Sequence, residues 1–139
     1  MAYWLLKTEP SAYSFADLQR DGRTVWDGVR NAQALIHLRA MHGGDGVLIY
    51  HSGDERAVEG SGVIESGPYA DPQSGDAKHI VVDIRAGQAA ARPVPLATIK
   101  ADPLFAGLGL VRQPRLSVMP VTDAQWRRLA ELAGLDLSS

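Results

Sequence analysis

Apolar residues along this chain fall into short runs and short periods, and each run predicts a different element. Tyr3 to Thr8 is an apolar, aromatic stretch closed by Pro10, too brief for a free-standing helix, and predicts a strand. Ser14 followed three residues later by Asp17 is a capping pattern for one or two helical turns, ended by the turn signal Asp21-Gly22. Asn31 stands where it can cap a helix running to Ala40, with Leu35, Leu38 and Met41 as its apolar stripe and Gly43-Gly44 as its stop. Residues 46–50 are a continuous apolar run, and residues 57–65 read as the hairpin partner across Ser52-Gly53-Asp54.

Residues 67–75 concentrate Gly, Pro, Asp and Ser and predict a surface loop. Residues 80–85 alternate Ile80, Val82 and Ile84 against Val81, Asp83 and Arg85, the period of a half-buried strand. Residues 92–95 add an edge piece, because prolines cannot donate to a central ladder. A short helix over residues 96–100, a Gly-punctuated connector over 104–111 and a last strand over 116–121 follow. Thr122-Asp123-Ala124-Gln125 is a capping box, and Trp126, Leu129, Leu132 and Ala133 carry helical spacing to Gly134. Five or six strands and three or four short helices in mixed order predict a compact, barrel-like α+β domain, not a doubly wound sheet.

Composition narrows what such a domain does. None of the 139 residues is cysteine, which removes disulfides, thiolate metal sites and a cysteine nucleophile together. The net charge is −2, with 6 basic and 9 acidic groups in residues 1–70 and 8 and 7 in the remainder. No basic block marks a long phosphate footprint, so duplex coating is disfavoured and a local patch is what charge permits. The first ten residues lack a basic leader and an apolar core, and no run approaches a membrane span. The expectation is a cytoplasmic protein with no membrane association; nothing in the pattern fixes its oligomeric state.

Three segments carry candidate chemistry. Trp26-Asp27-Gly28-Val29-Arg30-Asn31 lies where a strand gives way to a helix. It combines a flat aromatic, an acceptor, an amide, a planar cationic fork and a glycine that lets backbone approach a ligand. Core packing of Trp26, a turn at Asp27-Gly28 and a simple cap at Asn31 describe the same residues equally well. Lys7 ends the first strand, where its amine either enters a polar pocket or runs out to water. Tyr50-His51-Ser52-Gly53-Asp54 has the residue types of a hydrolase, but strand alternation sends His51 and Ser52 to opposite faces, so they cannot share a proton. His51 is then a pocket donor or acceptor, or a satisfied core histidine. Of Arg115-Leu116-Ser117-Val118-Met119, Leu116 and Val118 share the core face and Arg115, Ser117 and Met119 the other, where Met119 marks a covered surface or pocket wall, or else core packing near the C-terminal helix. No histidine cluster with ligand spacing and no phosphate-binding glycine loop is present, so no metal and no cofactor is expected.

Taken in order, Tyr3 to Pro10, Trp26 to Asn31, Tyr50-His51-Ser52 and Arg115 to Val118 resemble the EVE-domain proteins of the thymocyte nuclear protein type. The resemblance implies a PUA-like mixed β pseudobarrel with short flanking helices, as one domain over residues 1–139. It implies a non-enzymatic module that binds DNA or RNA and reads a modified base, methylated or hydroxymethylated, with any effector supplied in trans. Carried over by position, it implies a ligand pocket of Lys7, Trp26, Asp27, Val29, Arg30, Asn31, His51, Ser52 and Ser117, with Trp26 stacking on the base. The chain departs from that family at Ala32 and at Ala34-Leu35-Ile36, where relatives carry an aromatic and a base. Two other readings stand beside it: a peptide or small-metabolite interaction module, and a small hydrolase using His51.

Overall fold

The computed structural model describes residues 1–136. Six strands, β1 (Tyr3–Thr8), β2 (Arg23–Trp26), β3 (Gly46–His51), β4 (Ala57–Ala70), β5 (Ile80–Pro95) and β6 (Val118–Val121), make one mixed sheet. Their spatial order is β2-β5-β4-β3-β1-β6. Only β1 and β3 run parallel; every other pair is antiparallel. β1 and β3 are the apolar runs of the sequence, and burial explains their composition. Trp4, Leu5, Leu6 and all six residues of β3 are buried, as strands covered on both faces must be.

Five helices accompany the sheet: α1 (Phe15–Asp21), α2 (Ala32–Arg39), α3 (Leu96–Ala101), α4 (Gly109–Arg112) and α5 (Asp123–Ala133). The caps fall where the sequence places them. Ser14 and Asp17 close a capping box on α1, Asn31 Oδ1 accepts the Ala34 amide on α2, and Thr122 and Gln125 close a box on α5. Leu35, Leu38 and Met41 all enter the core, as do Ala34 and, from β6, Met119, which also backs a shallow groove beside Leu116 and Pro120. Asp45, 4% exposed, accepts the Trp4 indole N–H at 3.0 Å, the His42 amide at 2.9 Å and the Ala2 amide at 3.2 Å, and so ties the start of β1 to the start of β3.

Three expectations are corrected. The sheet is open, not a closed pseudobarrel: β2 and β6 end the strand order and do not pair with each other. Each is only four residues long. Residues 67–70, expected in a loop, continue β4, where Tyr69 and Ala70 pair with Val81 and Ile80; the turn-rich segment begins at Asp71. Residues 92–95 are no separate edge piece but the end of the 16-residue β5. Their prolines are tolerated because β2 pairs only with residues 82–85, leaving that end of β5 with β4 as its one neighbour. The connector before β6 also contains more structure than expected, a 3-10 turn at Pro103–Phe105 and α4.

Candidate functional site

A cleft of about 550 Å³ lies between the edge strand β2 and the C-terminal end of β1, with Ser117, the residue before β6, beside it. Thr24, Val25 and Trp26 of β2, with Asp27 to Arg30 after it, form one lip; Lys7, Thr8 and Glu9 of the β1 end, with Ser117, form the other. Ala12 and Tyr13 close the end between them. The Lys7 amide donates to the Ser117 carbonyl at 2.9 Å, extending the β1–β6 pairing to the mouth of the cleft. Gly28 has φ of +78°, a conformation other residues resist, and it turns the chain sharply enough to bring both Asp27 and Arg30 to the lip.

The aromatic surface is a pair. Trp26 is 8% exposed, so it offers the cleft a rim of its ring and not a free face. Tyr13 packs edge-on against it, ring centroids 6.4 Å apart at 86°, and is itself half-buried. Its hydroxyl donates to Asp21 at 2.9 Å, and burial is the main cause that raises its pKa. Tyr13 escaped the sequence reading because it belongs to no element; an aromatic left in a short loop between a strand and a helix cap was the available signal. Val29 is buried beside Trp26, and Val25 remains 47% exposed on the β2 edge. Asp27 and Glu9 supply acceptors, Thr24 and Ser117 hydroxyls, and Lys7 and Arg30 positive charge. Arg30 donates to the Val29 carbonyl at 3.1 Å, which holds the guanidinium along the lip. Lys7 lines the cleft with its stem while its amine donates to the Pro114 carbonyl at 2.6 Å; burial lowers its pKa.

Of the nine residues expected in the pocket, Lys7, Trp26, Asp27, Val29, Arg30 and Ser117 line this cleft, and three do not. Asn31 is engaged as the α2 cap and borders a neighbouring groove with Gln33 and Gln113. Ser52 lies in a separate cavity on the other side of Lys7. His51 is buried behind the cleft. Its Nε2 accepts the Phe15 amide at 2.9 Å, so the ring proton of the neutral imidazole is on Nδ1, which donates to Glu55 at 2.9 Å. That arrangement also bears on Glu59, which with His51 and Glu55 has the spacing of a metal-ligand group. With Nε2 committed to a backbone N–H and Nδ1 carrying the proton, His51 has no lone pair to give a metal or a hydroxyl nucleophile.

A cleft with an aromatic corner, an apolar shoulder at Val25 and Val29, and mixed donors and acceptors on its rim suits a flat, polar heterocycle. Among the described residues, no helix is long and apolar enough to cross a membrane. A family model described as the EVE domain matches residues 2–132. Human thymocyte nuclear protein 1 is 31% identical in an alignment spanning 90% of this chain and 71% of that protein, and the zebrafish (Danio rerio) protein of the same name is 27% identical over 96% and 72%. Those names place the relatives in the nucleus, which overturns the cytoplasmic expectation drawn from the missing leader. A crystal structure of a protein from Agrobacterium tumefaciens superposes with a TM-score of 0.93 at 37% identity, covering 97% of this chain and 94% of that one. The structure of human THYN1 protein in complex with 5-methylcytosine-containing DNA superposes with a TM-score of 0.88 at 27% identity, covering 98% and 99%. The sheet order, the cleft beside its edge strand β2 and a family match over nearly the whole described chain converge: this protein belongs to the EVE-domain family.

Proposed function

We propose that this protein is a non-enzymatic nucleic-acid-binding module, a single domain that reads one modified base, of the 5-methylcytosine type, in the cleft between β2 and the end of β1. The observation that carries the reading is the cleft itself, with an aromatic corner, an apolar shoulder and polar groups on both lips, in a fold shared with human THYN1, which was solved with 5-methylcytosine DNA. A base leaves its stack to enter, at a cost of a few kcal/mol. Tyr13 and the rim of Trp26 take its ring, Asp27 and Ser117 read its polar edge, and Val25 with Val29 receives the added methyl. Lys7 and Arg30 balance Asp27 and Glu9, so the cleft favours a neutral heterocycle over a free anion.

Magnitudes set what this cleft can achieve. Stacking on an aromatic side chain is worth about 1–3 kcal/mol, which little more than offsets extrusion of the base. One buried methyl adds about 0.8 kcal/mol, or about fourfold. The cleft therefore supplies selectivity, and contacts to the strand outside it must supply much of the affinity. Any consequence of reading passes to an effector in trans.

The test is a titration of the protein, followed by tryptophan fluorescence, with matched oligonucleotides that do and do not carry 5-methylcytosine. Wild type is compared with Asp27→Ala, an exposed substitution, and Tyr13→Leu. The expected result is a severalfold preference for the modified strand that both variants reduce. Equal affinity for the two strands, unchanged by either variant, would remove base reading and leave a peptide or metabolite as the ligand class to screen.

A further inference from the structure

Across Lys7 from the cleft is a second cavity of about 280 Å³, whose polar lining is Lys7, Tyr50, Ser52, Arg56 and Lys100. Three cations and two hydroxyls face it and no carboxylate does. Tyr50 is only 2% exposed, yet its hydroxyl is not sealed in: it opens on this cavity and has no protein hydrogen-bond partner among the described residues, so its O–H is available to a ligand there. Arg56 and Lys100 likewise have no carboxylate within ion-pair distance among the described residues. Lys7 spends one N–H on the Pro114 carbonyl and has two more to give, its amine 5.9 Å from the centre of the Tyr50 ring.

We propose that this cavity seats a backbone phosphate of the strand whose base the cleft reads. The proposal rests on that reading for the identity of the strand. Its own ground is the donor set: Tyr50 O–H, Ser52 O–H, the Arg56 fork and two ammonium groups offer donors in excess to a ligand made only of acceptors. Burial raises the pKa of Tyr50, which keeps the phenol protonated and donating at neutral pH. Lys7 lines both cavities, so a phosphate here lies one side chain from the base in the cleft, the spacing a single nucleotide chain can bridge. No carboxylate lines the cavity: Glu55 accepts from His51, and Glu9, which lines the first cleft, rests its carboxylate against Gly53 of the cavity wall, the one acidic group close by. Asp54 is exposed in the turn. The net field is modest and fits one phosphate, not a track of them.

Arg56 gives an unusually clean variant. It is the one described non-glycine residue with positive φ, at +45°, so Arg56→Gly removes the charge while relieving the backbone. The experiment measures oligonucleotide affinity over a salt series for wild type, Arg56→Gly/Lys100→Ala and Tyr50→Phe, with Tm recorded for each. Expected for the double variant is a Tm at or near wild type and an affinity about tenfold weaker for modified and unmodified strands alike. The slope of log K against log salt should fall by about 0.7, the value of one single-strand phosphate contact. Tyr50→Phe should weaken both strands severalfold with the slope unchanged. Unaltered affinity and slope in the double variant overturn the proposal. So does a titration in which inorganic phosphate shifts the Ser52 and Gly53 amide resonances while strand affinity ignores the variants, because the site then serves a free anion. Loss of discrimination between strands with the slope change intact refutes base reading and leaves the phosphate site standing; failure of every strand to bind refutes both.

Discussion

Gly60 of β4 lies against the face of the distal half of the Phe15 ring, and replacing it with alanine tests how rigidly α1 holds one end of the cleft. A Cβ at residue 60 would stand 2.3 Å from Phe15 Cζ and 2.5–2.6 Å from both Cε atoms, against ordinary contact at 3.4–4 Å. The ring would have to retreat by about 1 Å perpendicular to its own plane, more than a core at native density absorbs without strain. It has little room, because Phe15 is 3% exposed and its amide is fixed to His51 Nε2 at 2.9 Å. Overpacking of this kind costs about 2–3 kcal/mol. For a chain of this size that is a fall in Tm of about 7–10 °C. Tyr13 stands two residues before Phe15, so strand affinity should fall with stability. Thermal unfolding followed by circular dichroism measures the first, and the oligonucleotide titration the second. Adding Phe15→Leu, which withdraws the distal ring atoms, should recover most of the loss and give a large coupling in the double-mutant cycle. A Tm for Gly60→Ala within about 2 °C of wild type, or no recovery in the double variant, refutes the packing argument.

The remaining predictions concern protons and hydrogen bonds. Burial pushes the Asp45 carboxyl up, but the Trp4 indole and the His42 and Ala2 amides outweigh it and hold its pKa below 3.8. Its contribution is therefore complete above the unfolded value and lost as pH falls through the folded one. Asp45→Asn should cost about 1–3 kcal/mol at neutral pH, and denaturant melts should show the gap to wild type narrowing in acid. The Asp83 carboxylate accepting from Tyr69 at 2.5 Å raises the Tyr69 pKa to about 12; Asp83→Asn should return it toward 10.0 in an ultraviolet titration. Two-bond proton–nitrogen spectra should show neutral His51 with its proton on Nδ1, and the Nε2–H tautomer would refute the Phe15 bond. His51→Ala, which orphans the Phe15 amide, should cost about 1–3 kcal/mol while the preference for the modified strand persists; loss of that preference with the fold intact would give His51 a direct role.

Local structure was legible because its determinants are local. Ser14, Asn31 and Thr122 satisfy orphan amides three residues ahead, and that logic needs no tertiary context. The apolar runs of β1 and β3 were readable for the same reason. Residues 67–70 were misread because loop composition was taken at face value, whereas pairing of Tyr69 and Ala70 with β5 overrides it. The prolines at the end of β5 were correctly sensed as incompatible with two neighbours, but β2's short length, not a break in the strand, resolves the conflict.

The candidate site divides along the same line. Trp26 to Arg30 and Lys7 could be singled out by residue type, since each occurs where an element ends. Whether Trp26 presents a face or a rim depends on Tyr13 and Val29 packing around it, which is information held by neighbours. His51 stood out as chemistry and proves structural, its two nitrogens spent on Phe15 and Glu55, groups no spacing rule would pair with it. The sequence alone determined the buried strands β1 and β3, the caps, the family resemblance and most residues of one lip. Tertiary structure decided that the sheet stays open and that β2 faces the end of β1 across a cleft. It also placed Tyr50, Arg56 and Lys100 around one cavity, although two of them are 50 residues apart. Closure and convergence depend on how strands curl and pack against helices at long range, and pattern along a chain records only which face each residue prefers.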